Sequence, residues 1–260
     1  MMRIALGIEY DGSAFNGWQR QSHAPSVQAA LEQALSKVAN HTVDVVCAGR
    51  TDTGVHATAQ VVHFDTHAER SMRSWLLGGN SNLPPEVAIT WARPISEDFH
   101  ARFRATARQY RYLILNRGHR PALLRNRVCW EHRPLDVEAM QAAARPLLGE
   151  HDFSAFRALA CQARHPVRTL HRLELQRRGD LIWFDIEANA FLHHMVRNIA
   201  GSLIAVGRGE QPVDWLAGLL AGRDRSRSGI TAPAGGLYFV KVTYPPEFGL
   251  PGEAVLPGIG

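Results

Sequence analysis

Arg3-Ile4-Ala5-Leu6-Gly7-Ile8-Glu9-Tyr10 alternates from end to end. Ile4, Leu6, Ile8 and Tyr10 fall on one side of an extended chain, the period of a half-buried strand. Glu9 interrupts the apolar residues too soon for an export signal. Asp11-Gly12-Ser13 follows as a turn. Ser26 stands where an N-cap is needed, ahead of a helix to about Asn40 whose Val27, Leu31, Leu35 and Val38 share one face. Residues 42–48 read as a second strand, 49–57 as a polar glycine-containing loop and 59–65 as a third strand. A short helix near 71–80 buries Met72, Trp75 and Leu76, and Asn82-Leu83-Pro84-Pro85 breaks it. Val87, Ile89 and Trp91 alternate as a fourth strand.

The order β-α-β-β-α-β over the first hundred residues is the ferredoxin-like pattern. The second half echoes it. Strands are predicted at 108–115 and 127–131, then a helix capped by Asp136 and running to about Leu148. Two further strands, near 168–176 and 181–187, join at Arg178-Gly179-Asp180. A helix over 192–207 carries Leu192, Met195, Val196, Ile199 and Leu203 at helical spacing. A short helix near 213–221, a long Gly/Ser/Arg/Pro-rich loop at 222–236 and a strand at 237–243 complete the reading. The expectation is an α+β protein of two tandem ferredoxin-like, RNA-binding-domain-like halves, with largely antiparallel sheets joined around a central cleft. The halves are residues 1–105 and 106–260.

Length and composition fit this reading. A chain of 260 residues with 45% apolar and 20% charged residues is an ordinary globular sequence, neither disordered nor collagenous. No window is apolar enough for a membrane span. Cys47, Cys129 and Cys161 are odd in number and far apart, so they read as reduced, buried thiols of a cytosolic protein, with no zinc-type pair. The net charge is +5, but it is unevenly placed. Residues 100–133 hold nine arginines (Arg102, Arg104, Arg108, Arg111, Arg117, Arg120, Arg125, Arg127 and Arg133) against the single acid Glu131. Residues 151–178 add six arginines against two acids. Codon bias accounts for 27 arginines beside two lysines, yet it does not clear acids from a segment. Such clustering is the footprint of a nucleic-acid surface.

Ala48-Gly49-Arg50-Thr51-Asp52-Thr53-Gly54-Val55-His56-Ala57 lies between two predicted strands. Asp52 has Arg50 two residues before it and Gly54 two residues after. A carboxylate beside a guanidinium on a glycine-permitted turn stays ionised and serves as nucleophile or base. Local chemistry leaves a plain turn open as the alternative.

The stretch resembles the Gly-Arg-Thr-Asp-x-Gly-Val-His signature of the tRNA pseudouridine synthase A family. Further blocks match in order: Tyr10-Asp11-Gly12 with Gly17-Trp18-Gln19-Arg20-Gln21, Phe99-His100-Ala101-Arg102-Phe103 with Tyr110-Arg111-Tyr112, Asn189 through Asn198, and Gly236-Leu237-Tyr238. Thr53 departs from the alanine more usual in the family. The resemblance implies isomerisation of uridine to pseudouridine at positions 38, 39 and 40 of the tRNA anticodon stem-loop, with no cofactor. It implies Asp52 as the nucleophile, at either C6 of the base or C1′ of the ribose. It pairs Arg197 with Asp52 and makes Tyr110 the tyrosine that stacks on the target base; Tyr112, on the same strand face, is not separated from it by spacing. Arg50 would fill the space left by the flipped nucleotide, and Leu237 would wall the base pocket. tRNA is the implied partner, bridging a homodimer. His56, His193 and His194 suggest a metal, but His193 and His194 are adjacent rather than one helical turn apart, so none is expected.

Two other readings compete. A non-catalytic RNA-binding module would present stacking aromatics on an open sheet, whereas the sharpest motif here centres on a carboxylate that phosphate repels. An Asp-nucleophile phosphotransferase would bring a second acid, and none but Asp52 lies between Asp44 and Asp65.

Overall fold

The computed structural model describes residues 1–159, 161 and 163–259. It is a mixed α+β protein that divides into two compact units, one of residues 1–106 with 238–257, the other chiefly of residues 107–237.

In the first unit the alternating N-terminal stretch is strand β1 (Met2–Tyr10). Helix α1 (Val27–Ala39) starts at Ser26, whose hydroxyl accepts the Ala29 N–H, and ends on Asn40 in the left-handed region. Strand β2 (Val46–Cys47) is much shorter than the 42–48 expected. The reason is local: the Val43 and Val45 N–H groups donate to the Ser36 hydroxyl and the Glu32 carboxylate, which removes them from a strand ladder. Strand β3 (His56–Thr66), helix α2 (Met72–Asn82) and strand β4 (Val87–Ile95) follow. β1 pairs antiparallel with β3 and with β4, and β2 pairs antiparallel with β3. Ile4, Leu6, Ile8, Val62 and Phe64 are buried with Leu31 and Leu35 of α1 and Trp75 of α2, and the Trp75 ring meets Phe64 edge-on at 5.1 Å.

The second unit begins with strand β5 (Ala107–Asn116), followed by β6 (Cys129–Glu131) and helix α3 (Val137–Ala144). Asp136 caps α3 through the Ala139 N–H at 2.9 Å. The α-helix stops short of Leu148 because Pro146 has no N–H to continue it, and 145–147 tighten into a 3-10 turn. Strands β7 (Gly149–Asp152), β8 (Val167–Arg178) and β9 (Leu181–Ala188) come next. Helices α4 (Met195–Gly207) and α5 (Trp215–Gly222) complete it. β9 lies between β5 and β8, antiparallel to both, and β7 pairs with β8. Tyr112, Ile114, Phe184 and Ile186 form the buried face, covered by Met140 of α3 and Ile199 and Leu203 of α4.

The last strand, β10 (Leu237–Thr243), pairs in parallel with β3 through Tyr238 and Phe239, which is why residues 238–257 cluster with the first unit. Cys47 and Cys129 are buried as expected, whereas Cys161 is only half-buried, and among the described residues no helix is long and apolar enough to cross a membrane.

Candidate active site

The Asp52 loop is fixed from within the first unit. Thr51 is buried, its hydroxyl 2.8 Å from the Tyr10 hydroxyl, and its carbonyl accepts the Trp18 N–H at 3.0 Å. The Gly49 carbonyl accepts from the buried Gln60 amide at 2.7 Å. The Asp52 carbonyl accepts the Val55 N–H at 3.1 Å, closing a β-turn over 52–55. Gly54 supplies the positive φ of 76° that the third position of this turn requires. The result is a half-buried Asp52 side chain between a buried Thr51 and an exposed Thr53. Arg50 is exposed on the same loop. Burial pushes the Cys47 thiol up to about 12 despite the nearby charges of Arg50 and Arg102. His56, at the far end of the loop, accepts the Gly12 N–H on Nδ1 at 3.1 Å, and its ring stacks on Tyr238 at 4.7 Å. Its ring is thus built into the fold.

The other residues singled out by sequence lie in the second unit. Tyr110 and Tyr112 share a face of β5, and their surroundings separate them. The Tyr112 side chain is fully buried, stacks on Phe184 at 5.5 Å and donates its hydroxyl to the Pro233 carbonyl at 2.8 Å. Burial raises its pKa well above that of a free phenol. Tyr110 keeps an 8% rim of exposure and meets Phe191 edge-on at 5.1 Å. Arg197 sits in the first turn of α4. Its Nε donates to the Ala232 carbonyl at 2.9 Å, and the Ala232 N–H returns a bond to the Arg197 carbonyl at 3.0 Å. Leu237 is buried at the start of β10.

Helix α4 begins three residues later than expected because His194 takes a φ of 61° and acts as its N-cap. Three features escaped sequence reading. Asn198, fully buried, donates to the Phe156 carbonyl at 2.8 Å and accepts from Thr231 and Arg225. Gly201 lies against the Ile230 carbonyl, leaving no room for a Cβ, so the 229–232 loop packs directly on the helix. A cleft of about 900 Å³ opens beside this helix start, lined by Arg157, His193, His194, Asn198 and Arg225 among others. A glycine inside a helical pattern was the one available signal for that close approach.

The tRNA pseudouridine synthase family pattern matches residues 7–104 and 143–245. The chain is 62% identical over 250 residues to a protein named tRNA pseudouridine synthase A from Nitrosococcus oceani, covering 96% of each chain. It is 60% identical to the protein of that name from Aeromonas hydrophila, covering 96% of this chain and 93% of the relative. With that of Xanthomonas euvesicatoria the identity is 59%, covering 97% and 99%. Among solved structures, an archaeal box H/ACA sRNP Nop10–Cbf5 complex aligns at a TM-score of 0.36 and 11% identity, over 77% of this chain and 44% of that one.

Proposed function

The chain belongs to the tRNA pseudouridine synthase family, and from that premise we propose that it isomerises uridine to pseudouridine at positions 38, 39 and 40 of the tRNA anticodon stem-loop, with Asp52 as nucleophile. The observation that carries this is the Asp52 turn, which the Tyr10–Thr51 and Trp18–Thr51 bonds hold from inside the unit. A fixed carboxylate fits a reaction in which a bond is made to the nucleotide and released again. The glycosidic bond from C1′ to N1 breaks, and a bond from C1′ to C5 forms. The C5 proton leaves to solvent and N1 gains one, so no atom is added and no cofactor is required. Asp52 attacks at C6 of the base or at C1′ of the ribose. Tyr110 stacks on the target base and assists removal of the C5 proton. Arg197 pairs with Asp52, Arg50 takes the place of the extruded nucleotide and Leu237 lines the base pocket.

The β4-β1-β3-β2 order of the first unit, each pair antiparallel, supports reading it as a ferredoxin-like half that carries the aspartate. The second, arginine-rich half follows the same reading. Recognition runs through tRNA shape and phosphates more than base edges, since several target positions lie on one arm. The working form is a cytoplasmic homodimer that one tRNA bridges. Release of the C5 hydrogen from a tRNA substrate, with and without Asp52, tests the reaction.

A further inference from the structure

Phe99-His100-Ala101-Arg102-Phe103-Arg104 follows β4 and remains within the first unit. Phe99 is fully buried against Tyr244 and Phe248, with ring centroids 5.0 and 5.1 Å away. Three successive backbone donors are then taken up by two imidazoles. The Ala101 N–H donates to His63 Nδ1 at 3.1 Å, and the Arg102 and Phe103 N–H groups both donate to His100 Nδ1 at 3.2 Å. The Ala101 carbonyl accepts the Tyr244 hydroxyl at 2.7 Å. A loop held this tightly ends in an exposed side chain whose ring stands on His100. Phe103 is 74% exposed, the most exposed aromatic side chain among the described residues, and stacks on His100 at 4.2 Å and 28°.

Single exposed apolar side chains are common and need no explanation. Phe103 differs because its support fixes its orientation: His100 is bound to the backbone of Phe103 itself and lies against its ring. Arg102 stands 5.6 Å from that ring, and the next residue in the chain, Arg104, is exposed with its guanidinium 5.9 Å from the Phe248 ring and its Nε donating to the Asp98 carbonyl at 3.1 Å. Arg3 is committed to Asp65 by two bonds of 2.7 Å, and the acids Glu97 and Asp98 precede the loop. The position along the sheet also matters. His63 pairs with Val46 on β2, and the chain runs from there through Cys47 to Arg50. An exposed aromatic ring among arginines is the element that stacks on unpaired or splayed bases, with cationic help at the phosphates.

We propose that Phe103, set on His100 and flanked by Arg102 and Arg104, is a stacking contact for the RNA substrate away from the reacting uridine. This rests on the tRNA pseudouridine synthase reading and extends it to a surface whose role is binding alone.

The test compares wild type, Phe103→Ala and Phe103→Trp, measuring affinity for an unmodified tRNA transcript by filter retention and kcat and KM by tritium release. Loss of one stacked base is worth about tenfold in affinity. F103A is expected to raise Kd and KM by about that factor while kcat falls less than twofold, and F103W to restore both. The side chain is exposed, so F103A is expected to melt with wild type. Affinity of F103A within twofold of wild type overturns the proposal. So does a change in mass by light scattering with affinity intact, which would assign the ring to a second copy of the chain. The two readings fail separately. Wild type that binds tRNA through Phe103 but releases no tritium would overturn the synthase reading and leave the stacking contact standing.

Discussion

The hydroxyls of Tyr10 and Thr51 lie 2.8 Å apart inside the first unit, one residue before Asp52. Strand β1 thereby sets the height of the loop that carries the proposed nucleophile. Tyr10→Phe leaves the buried Thr51 hydroxyl short of a partner, which costs about 1–3 kcal/mol. The expected outcome is a lower melting temperature together with slower turnover and unchanged tRNA affinity. Full activity in a destabilised variant would show that the loop holds its place without this bond.

Tyr110 and Tyr112 are expected to separate by assay. Tyr112→Phe removes the donor to the Pro233 carbonyl and should lower stability, by about 1 kcal/mol, with kcat little changed. Tyr110→Phe should reduce kcat far more than Tyr112→Phe does. Urea denaturation and single-turnover rates on both variants decide it, and the reverse pattern would move the active tyrosine to 112.

The arginine-rich segments divide by structure. Arg111 makes a two-bond ion pair with Asp185 at 2.7 and 2.8 Å, and Arg133 meets Glu210 at 2.7 Å. Arg120 and Arg125 are exposed. Replacing Arg120 and Arg125 with alanine is expected to weaken tRNA binding and to lower the slope of log Kd against log salt by about 2. Arg111→Ala should reduce stability and leave the slope alone. An unchanged slope in the double variant would remove this segment from the RNA surface.

Acid sensitivity should trace to His63. Burial first, then the charges of Arg3 and His100, pull its pKa down to about 4. The folded protein therefore holds this imidazole neutral where the unfolded chain takes up a proton. The stabilisation is fully present above the unfolded value of about 6.5 and is lost as pH falls through about 4, by up to about 3 kcal/mol. Asp65 and Glu131, held below the usual carboxylate range by Arg3 and Arg208, act at lower pH. Urea midpoints measured from pH 7 to pH 4 should fall in wild type and flatten in His63→Gln. Parallel curves would assign the loss elsewhere.

Local patterns carried far in the sequence. The alternation of Ile4, Leu6, Ile8 and Tyr10 is β1, and Ser26 and Asp136 cap the helices they precede. What failed to show was where side chains compete with strand ladders. Glu32 and Ser36 lie on α1, yet they take the N–H groups of residues 45 and 43 and shorten β2. No local pattern reports a bond between segments separated in that way. The grouping of residues 238–257 with the first unit is likewise a fact of pairing, since β10 reads as a strand whichever neighbour it has. At the candidate site, the motif located Asp52 and its glycine turn. The Tyr10–Thr51 bond and the Gly201–Ile230 contact depend on residues distant in sequence and were visible only in three dimensions.

The most direct measurement is tritium release from a tRNA transcript labelled at uridine C5, for wild type and Asp52→Ala side by side. Release by wild type and none by the variant, with tRNA affinity within a few-fold, is the expected result. Release by Asp52→Ala at the wild-type rate would contradict the assignment of Asp52 as nucleophile.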